Sequence, residues 1–397
     1  MSAPRVLITA GQVYGLLDDN KLVGNRVRGI WATRFARWLA ERGYPVTVLI
    51  PDTMAGMTAD LLDGLPSEAR LGVSKHRGYF DYAAKCEKLA LTHDAAVMAA
   101  AVVNWIPEKP VSGKMPTKGY NEGDIINIPF VLAPRVINRM RQWNPDLTLI
   151  GCKMLIGATT DELVEAAYHV VLTAKCNVVL ANDMGHGLKM KRLVFQDRTV
   201  MEFDDDFEGL FQALQGVIDD QHFATHRLES STSHILEDSR WSGDRRRFDE
   251  IVAKYRDRFA HRQAGSDRVF GGLLVPTGAE GYLLSPREKG EMFSSADAAW
   301  LPALQNFDPH RVLVAKGPKA TLNAPLLVRV WEKWKDHPKV VAVLHLHEQL
   351  PNVPTVPYAP PGTARDNLRD LDNLPPAFNI EGHGFVACLD GNLEVVR

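Results

Sequence analysis

Two groups of residues in this sequence are of types and at spacings that do chemistry. The apolar run Val340 to Leu344 leads into His345-Leu346-His347. On an extended strand the side-chain period of two puts both imidazoles on one face. A third histidine, His383, stands between Gly382 and Gly384, ahead of the apolar Phe385-Val386-Ala387. Three histidines make a zinc-type site with an open fourth position for a substrate. The second group is spread over the N-terminal half. Gly11 closes the run Val6 to Ala10, Asn25 and Arg28 lie between Gly24 and Gly29, and Asn182 and Asp183 end the run Val178 to Ala181. Lys114, Lys118 and Lys153 supply point charges between them. A glycine after a strand and before a helix start receives an anion, and lysines add charge for a polyphosphate. The spacing Gly11 to Gly15 does not match the dinucleotide fingerprint, and Gly317-Pro318-Lys319 lacks the glycine-rich run of a P-loop.

The elements that must position these groups follow from periodicity. Val6 to Gly11 reads as a buried parallel strand entering a loop. Trp31, Phe35, Trp38 and Leu39 recur at helical spacing over residues 28–41, with Gly43 as the stop. Val46 to Ile50 is a second strand. The alternation continues with strands at 95–103, 147–150 and 177–181 and helices at 134–142, 161–174 and 207–218. Repeated strand–helix alternation predicts an α/β fold with a Rossmann-like, doubly wound parallel sheet. The sequence then turns rich in His, Ser, Thr and Asp, which predicts a domain at 1–222, a linker at 223–242 and a smaller α/β domain at 243–397. Phe248, Ile251, Val252, Tyr255 and Phe259 form a helical stripe, with the interleaved arginines on a solvated face. His222, His226 and His234 read as dispersed surface residues.

At 397 residues the chain suits two cores, and a net charge of −2 gives no overall field for nucleic acid or an anionic membrane. No apolar run approaches a membrane span, and Cys86, Cys152, Cys176 and Cys388 show no CxxC spacing. A cytoplasmic protein with reduced thiols, no nucleic-acid partner and no membrane partner is the expectation.

The N-terminal half, about residues 5–220, resembles the phosphopantothenate–cysteine ligase family, also called phosphopantothenoylcysteine synthetase. The resemblance rests on Val6 to Gly11, Gly24 to Gly29 opening a helix, Met98 to Val102 ahead of Asn104, Lys114 to Lys118, and Val179 to Asp183 followed by Gly185-His186-Gly187. It implies activation of a carboxylate with CTP or ATP and Mg2+ to an acyl-nucleotide, then transfer to an amine, with small-molecule carboxylate and amine substrates. It carries the intermediate-handling role onto Asn25 and phosphate contact onto Lys118 and Lys153, with Gly11, Arg28, Lys114, Asn182 and Asp183 as further binding candidates. Physically, an amide at a helix start hydrogen-bonds a developing oxyanion, although Asn also suits a plain N-cap there. The chain departs from the family at Gln12-Val13, Val27-Arg28 and Asn104.

Residues 244–397 resemble the class II aldolases and the adducin head domain, through Gly281 to Pro286, Asp336 to His347, Pro361 to Thr363 and Gly382 to Val386. That resemblance implies a divalent metal, zinc first, on His345, His347 and His383. The proton-shuttling glutamate of those aldolases is replaced by Asn323, with Glu348 and Glu381 as possible substitutes. Three readings result: a nucleotide-dependent ligase fused to a metal-binding domain, a metal-dependent lyase with a nucleotide-holding N-terminal domain, or a non-catalytic assembly module as in adducin. Both families imply a homo-oligomer.

Overall fold

The computed structural model describes residues 2–185, 190–231, 241–261, 267–303, 308 and 313–397. It divides into two compact units, Met1–Asp219 and Asp220–Arg397.

The first unit is built on an eight-stranded sheet. Val6–Thr9 sits centrally, parallel to Val46–Pro51 on one side and Ala95–Met98 on the other. Leu71–His76 extends the parallel ladder beyond Val46–Pro51, while Thr148–Leu155 and Val178–Asp183 extend it beyond Ala95–Met98. Two antiparallel strands, Lys191–Phe195 and Val200–Glu202, finish that edge. Alternate residues of the central strand enter different cores. Val6 and Ile8 join Phe35, Leu39, Leu210 and Leu214 from the helices Ile30–Glu41 and Phe207–His226. Leu7 joins Tyr82, Cys86, Met140, Ala167 and Val171 from the helices Gly78–Ala90, Ile137–Trp143 and Thr160–Ala174. Both faces are therefore covered, as a parallel sheet requires. The doubly wound α/β class expected from the alternation is the class observed. The strand Leu71–His76 and the helix Gly78–Ala90 were not anticipated, because a half-exposed strand with Lys75 and a helix bearing Lys85, Glu87 and Lys88 dilute the apolar signal.

His76, at the end of the outer strand, is 1% exposed, with the rings of Tyr14 and Tyr82 at 6.3 and 5.2 Å. Burial pushes its imidazole down to about 4 from an ordinary 6.5. The unfolded chain therefore takes up this proton first, so stability present above about pH 6.5 falls as the pH drops toward 4. The full effect is about 3 kcal/mol at 1.36 kcal/mol per pH unit. Urea unfolding at pH 7.5 and 5 is expected to show about 2 kcal/mol of this loss in the wild type, at 1.36 kcal/mol per unit below 6.5, and a flatter profile in His76→Phe.

The second unit carries a nine-stranded sheet in the order Leu228–Ser231, Leu313–Lys316, Ala299–Pro302, Gly281–Leu284, Gly272–Pro276, Ala342–Leu346, Gly384–Leu389, Ala377–Ile380 and Thr355–Val356. Its inner pairings are antiparallel and the outermost pair at each edge is parallel. One face packs on the helix Ala324–Trp334 and the other on Ser242–Tyr255, whose stripe Phe248, Ile251, Val252 and Tyr255 is buried as its spacing predicts.

The first nine residues of the expected linker at 223–242 are a helix end and an edge strand. Residues 223–226 continue the Phe207–His226 helix and Leu228–Ser231 is an edge strand. Ala224, Arg227 and Leu228 are wholly buried, and a buried arginine among polar neighbours leaves no apolar periodicity to read. His222 is likewise buried, its ring 4.1 Å from that of His226 one turn on, not at the surface as its polar neighbours suggested. His234 and the rest of that stretch through residue 240 lie outside the described residues, as do His186 and Gly187. All four cysteines are free. Among the described residues no helix is long and apolar enough to cross a membrane.

Candidate functional site

The first unit opens a cavity of about 800 Å3 beyond the carboxyl ends of its central parallel strands. That edge is where doubly wound sheets receive ligands. Gly11, Asn25, Arg28, Lys153 and Asn182, all singled out in the sequence, line it. The turn before the first helix is held by close backbone approach. Gly29 has φ +66 and caps the helix Ile30–Glu41, and a Cβ on it would lie 2.5 Å from the Gly11 nitrogen. The cap is thus Gly29 and not Asn25, because the chain needs the left-handed conformation at the point where strand end and helix start touch. Asn25 instead reaches across the cavity mouth, where its Nδ2 donates to the carbonyls of Ala101 and Val102 at 3.2 and 3.1 Å. Both amide hydrogens are engaged, so the oxyanion role requires those bonds to open when a ligand enters.

The other candidates separate. Asn182 Nδ2 donates to the Lys153 carbonyl at 3.3 Å, which ties two cavity-lining strands together. Asp183 is not among the lining residues. Its wholly buried carboxylate accepts from the backbone amides of Gly157, Ala158 and Gly185 at 3.1, 3.0 and 2.7 Å. It organises two turns at the strand ends. Asp183→Asn places an NH2 group against one of those N–H donors. An expected loss of about 1 to 3 kcal/mol follows from one unmet buried donor, measurable as a lowered urea midpoint. Lys114 and Lys118 lie in an exposed stretch and do not line the cavity. Their loop is fixed elsewhere, with the Asp19 carboxylate accepting from Gly113 N and Asp18 from Met115 N, each at 2.8 Å. The bond from Met115 is the largest cause of an Asp18 carboxyl pulled down to about 2.

Four cations of the lining were missed. Arg26 sits beside Asn25, Arg34 one turn into the helix, and Arg135 ahead of the helix Ile137–Trp143. Each looks like an ordinary solvated residue in the sequence. Lys191 hides in Lys189-Met190-Lys191-Arg192, which reads as a surface run, yet its register opposite Asn182 puts it at the cavity with 4% exposure. Burial lowers its pKa, opposed by the charges of Asp205 and Asp204. A cavity lined by Arg26, Arg28, Arg34, Arg135, Lys153 and Lys191, with Asp205 as the carboxylate, suits a polyanion.

In the second unit the three histidines converge. The ligand atoms of His345, His347 and His383 lie within 4.8 Å of one another, and no carboxylate belongs to the group among the described residues. The strand Ala342–Leu346 pairs antiparallel with Gly384–Leu389, bringing the HxH segment beside the turn that bears His383. His345 is wholly buried, and its Nδ1 donates to the Phe385 carbonyl at 2.8 Å. That bond fixes the tautomer and turns Nε2, which has no hydrogen-bond partner, toward the cluster. Burial first, opposed by the Phe385 bond and aided by the charge of Lys289, pushes the imidazole down to about 4 and keeps it neutral. The ring of His347 stacks on Phe270 at 5.0 Å and 10°. This donor set fits a divalent metal of zinc type. Of the two substitute bases, Glu348 is bound by Arg258 at 2.6 Å. Asn323 is buried at the start of the helix Ala324–Trp334.

Comparison with known proteins bears on the first unit. Residues 1–202 match the family model described as the DNA/pantothenate metabolism flavoprotein C-terminal domain. A coenzyme A biosynthesis bifunctional protein, CoaBC, of Mycolicibacterium smegmatis is 28% identical over 198 residues, covering 47% of this chain and 43% of that protein. Its namesake from Thermococcus kodakarensis is 24% identical over 186 residues, covering 46% and 42%. The chain thus spans less than half the length of these curated relatives. The solved DNA/pantothenate metabolism flavoprotein of Streptococcus pneumoniae superposes with a TM-score of 0.44 at 17% identity, covering 54% of this chain and 99% of that one. Through a match that spans half of its length and contains the cavity lining from Gly11 to Lys191, the chain belongs to the family of the DNA/pantothenate metabolism flavoprotein C-terminal domain.

Proposed function

We propose that the first unit binds CTP or ATP with Mg2+ and activates a carboxylate as an acyl-nucleotide for C–N bond formation, the chemistry of a phosphopantothenate–cysteine ligase in coenzyme A biosynthesis. The observation that carries this reading is the cation-lined cavity at the strand ends, in a chain whose relatives are named for coenzyme A biosynthesis. Arg26, Arg28 and Lys153 neutralise the phosphates, and the free amides at the start of the helix Ile30–Glu41 supply fixed donors. Asn25 positions the acyl group, exchanging its carbonyl partners for the ligand. Mg2+ arrives with the triphosphate and needs no dedicated protein cage. The test is pyrophosphate release that requires both a nucleoside triphosphate and phosphopantothenate. Asn25→Ala is expected to lower the rate about 100-fold, the scale of losing one donor at a developing oxyanion. A rate independent of the carboxylate overturns the reading.

For the second unit the convergence of three imidazoles supports a divalent metal centre, zinc first, on His345, His347 and His383. Such a metal supplies Lewis-acid polarisation of a substrate oxygen. His345 presents Nε2 from a rigid strand, and Phe385 holds its ring in place. Asn323 is buried and Glu348 is bound by Arg258, and polarisation and binding are the functions that the three histidines themselves support. Metal analysis of the purified chain is expected to give one zinc, lost in His345→Ala.

A further inference from the structure

Among the described residues Asp205 is the only acidic side chain lining the cavity of the first unit, and the phosphate cradle leaves it without a task. Its two neighbours are engaged elsewhere. Asp204 is bound by Arg192 at 2.6 Å, and Asp206 accepts from Gly209 N at 2.8 Å in the first turn of the helix Phe207–His226. Asp205 between them has φ +58, a left-handed conformation that aspartate adopts more readily than most residues. The turn is tied to the strand Lys191–Phe195, since the Lys191 carbonyl accepts from Phe203 N at 2.9 Å. Lys191 lines the cavity at 4% exposure, and its Nζ stands 6.0 Å from the centre of the ring of Phe207, a third lining residue. One corner therefore offers an oxygen acceptor, N–H donors and an aromatic ring. Burial does not remove the donors, because a lysine nitrogen carries N–H groups with or without its charge.

Cations suit the phosphates, which every nucleoside triphosphate shares, so they cannot tell one base from another. Bases differ along their hydrogen-bonding edge. Cytosine and adenine present an amino donor beside a ring-nitrogen acceptor, whereas uracil and guanine present a carbonyl acceptor beside an N–H donor. A carboxylate accepts and does not donate, so it meets the first edge and sets oxygen against oxygen on the second. Resting on the triphosphate reading, we propose that Asp205, Lys191 and Phe207 form the base subsite of this cavity and select an amino-bearing base, cytosine or adenine, over uracil and guanine. Asp205 accepts from the exocyclic amino group, Lys191 donates to the adjacent ring nitrogen, and the Phe207 ring gives the base a face to stack on.

The test titrates the full chain with CTP, UTP, ATP and GTP in the presence of Mg2+ by calorimetry, which reads binding apart from turnover. The wild type is expected to favour CTP over UTP, and ATP over GTP, by about tenfold or more, the discrimination of a matched pair of hydrogen bonds at a base edge. Asp205→Asn keeps the side-chain shape, and asparagine tolerates the left-handed turn equally, so the fold is retained. Its amide donates as well as accepts. The preference for CTP over UTP is therefore expected to fall about tenfold, with UTP affinity rising. Asp204→Asn is the control, because it removes the same charge one residue away at a side chain held by Arg192. It is expected to shift CTP and UTP together and to leave their ratio unchanged. Equal wild-type affinities for CTP and UTP overturn the proposal, as does a ratio unchanged in Asp205→Asn or lowered to the same extent in Asp204→Asn. Absence of binding by all four nucleotides overturns instead the triphosphate reading beneath it.

Discussion

Replacing Gly384 by alanine is expected to dismantle the histidine cluster and to destabilise the second unit by about 3 kcal/mol or more, at the severe end of single substitutions. Gly384 has φ +145, and a Cβ there would lie 2.0 Å from the Leu346 carbonyl and 2.8 Å from the His347 Cα. Both neighbours are backbone, so no side chain can swing away. The substitution must open the pairing of Ala342–Leu346 with Gly384–Leu389, which is the pairing that holds His383 beside His345 and His347. Gly382 is the control, with φ +63 but nothing within 4 Å of its Cβ position. Gly382→Ala bears only the left-handed penalty of about 1 to 2 kcal/mol. Urea unfolding and zinc content of the two variants separate collision from conformational strain. Similar midpoints for both would show that the close approach is not what positions the cluster.

Gly29→Ala is expected to have a comparable effect in the first unit and to abolish nucleotide binding. The added Cβ falls 2.5 Å from the Gly11 nitrogen and 3.1 Å from its Cα, at a residue with φ +66. Relief requires the helix Ile30–Glu41 to withdraw from the end of the strand Val6–Thr9, and the cavity loses the shape of its Gly11 wall. Gly43→Ala, at the other end of that helix, has φ +85 and open space. It is expected to lose about 1 to 2 kcal/mol and to bind nucleotide normally. A calorimetric titration with CTP in each variant, beside thermal unfolding, checks the pair. Normal binding by folded Gly29→Ala would contradict the cradle.

The sequence made the doubly wound sheet legible because fully buried parallel strands are continuous apolar runs, and Val6, Leu7, Ile8, Val178, Val179 and Leu180 are all wholly buried. Gly11, Arg28 and Asn182 could be found because strand ends and helix starts are fixed by that alternation, while Asn25 and Lys153 were reached through the family resemblance. The three histidines could be found for a simpler reason, since the period of two and a glycine-flanked turn place them almost without tertiary information. What was not legible depends on long-range register. Lys191 reaches the cavity only because an antiparallel strand sets it opposite Asn182, and Asp183 is taken up by amides of a loop 26 residues earlier. Lys289 reads as one more charge in Arg287-Glu288-Lys289, and only burial makes it unusual. The lysines of 114–118 show the reverse failure: a motif lysine keeps its place in the chain while Asp18 and Asp19 fix its loop away from the cavity lining.

The central claim is that the turn from Gly11 through Arg28 cradles a nucleoside triphosphate. Crystals soaked with CTP or ATP and Mg2+ test it most directly. Triphosphate density against Gly11, Arg28 and the first amides of the helix Ile30–Glu41 is the expected result. An empty turn at saturating nucleotide, or a nicotinamide dinucleotide lying there, would contradict it.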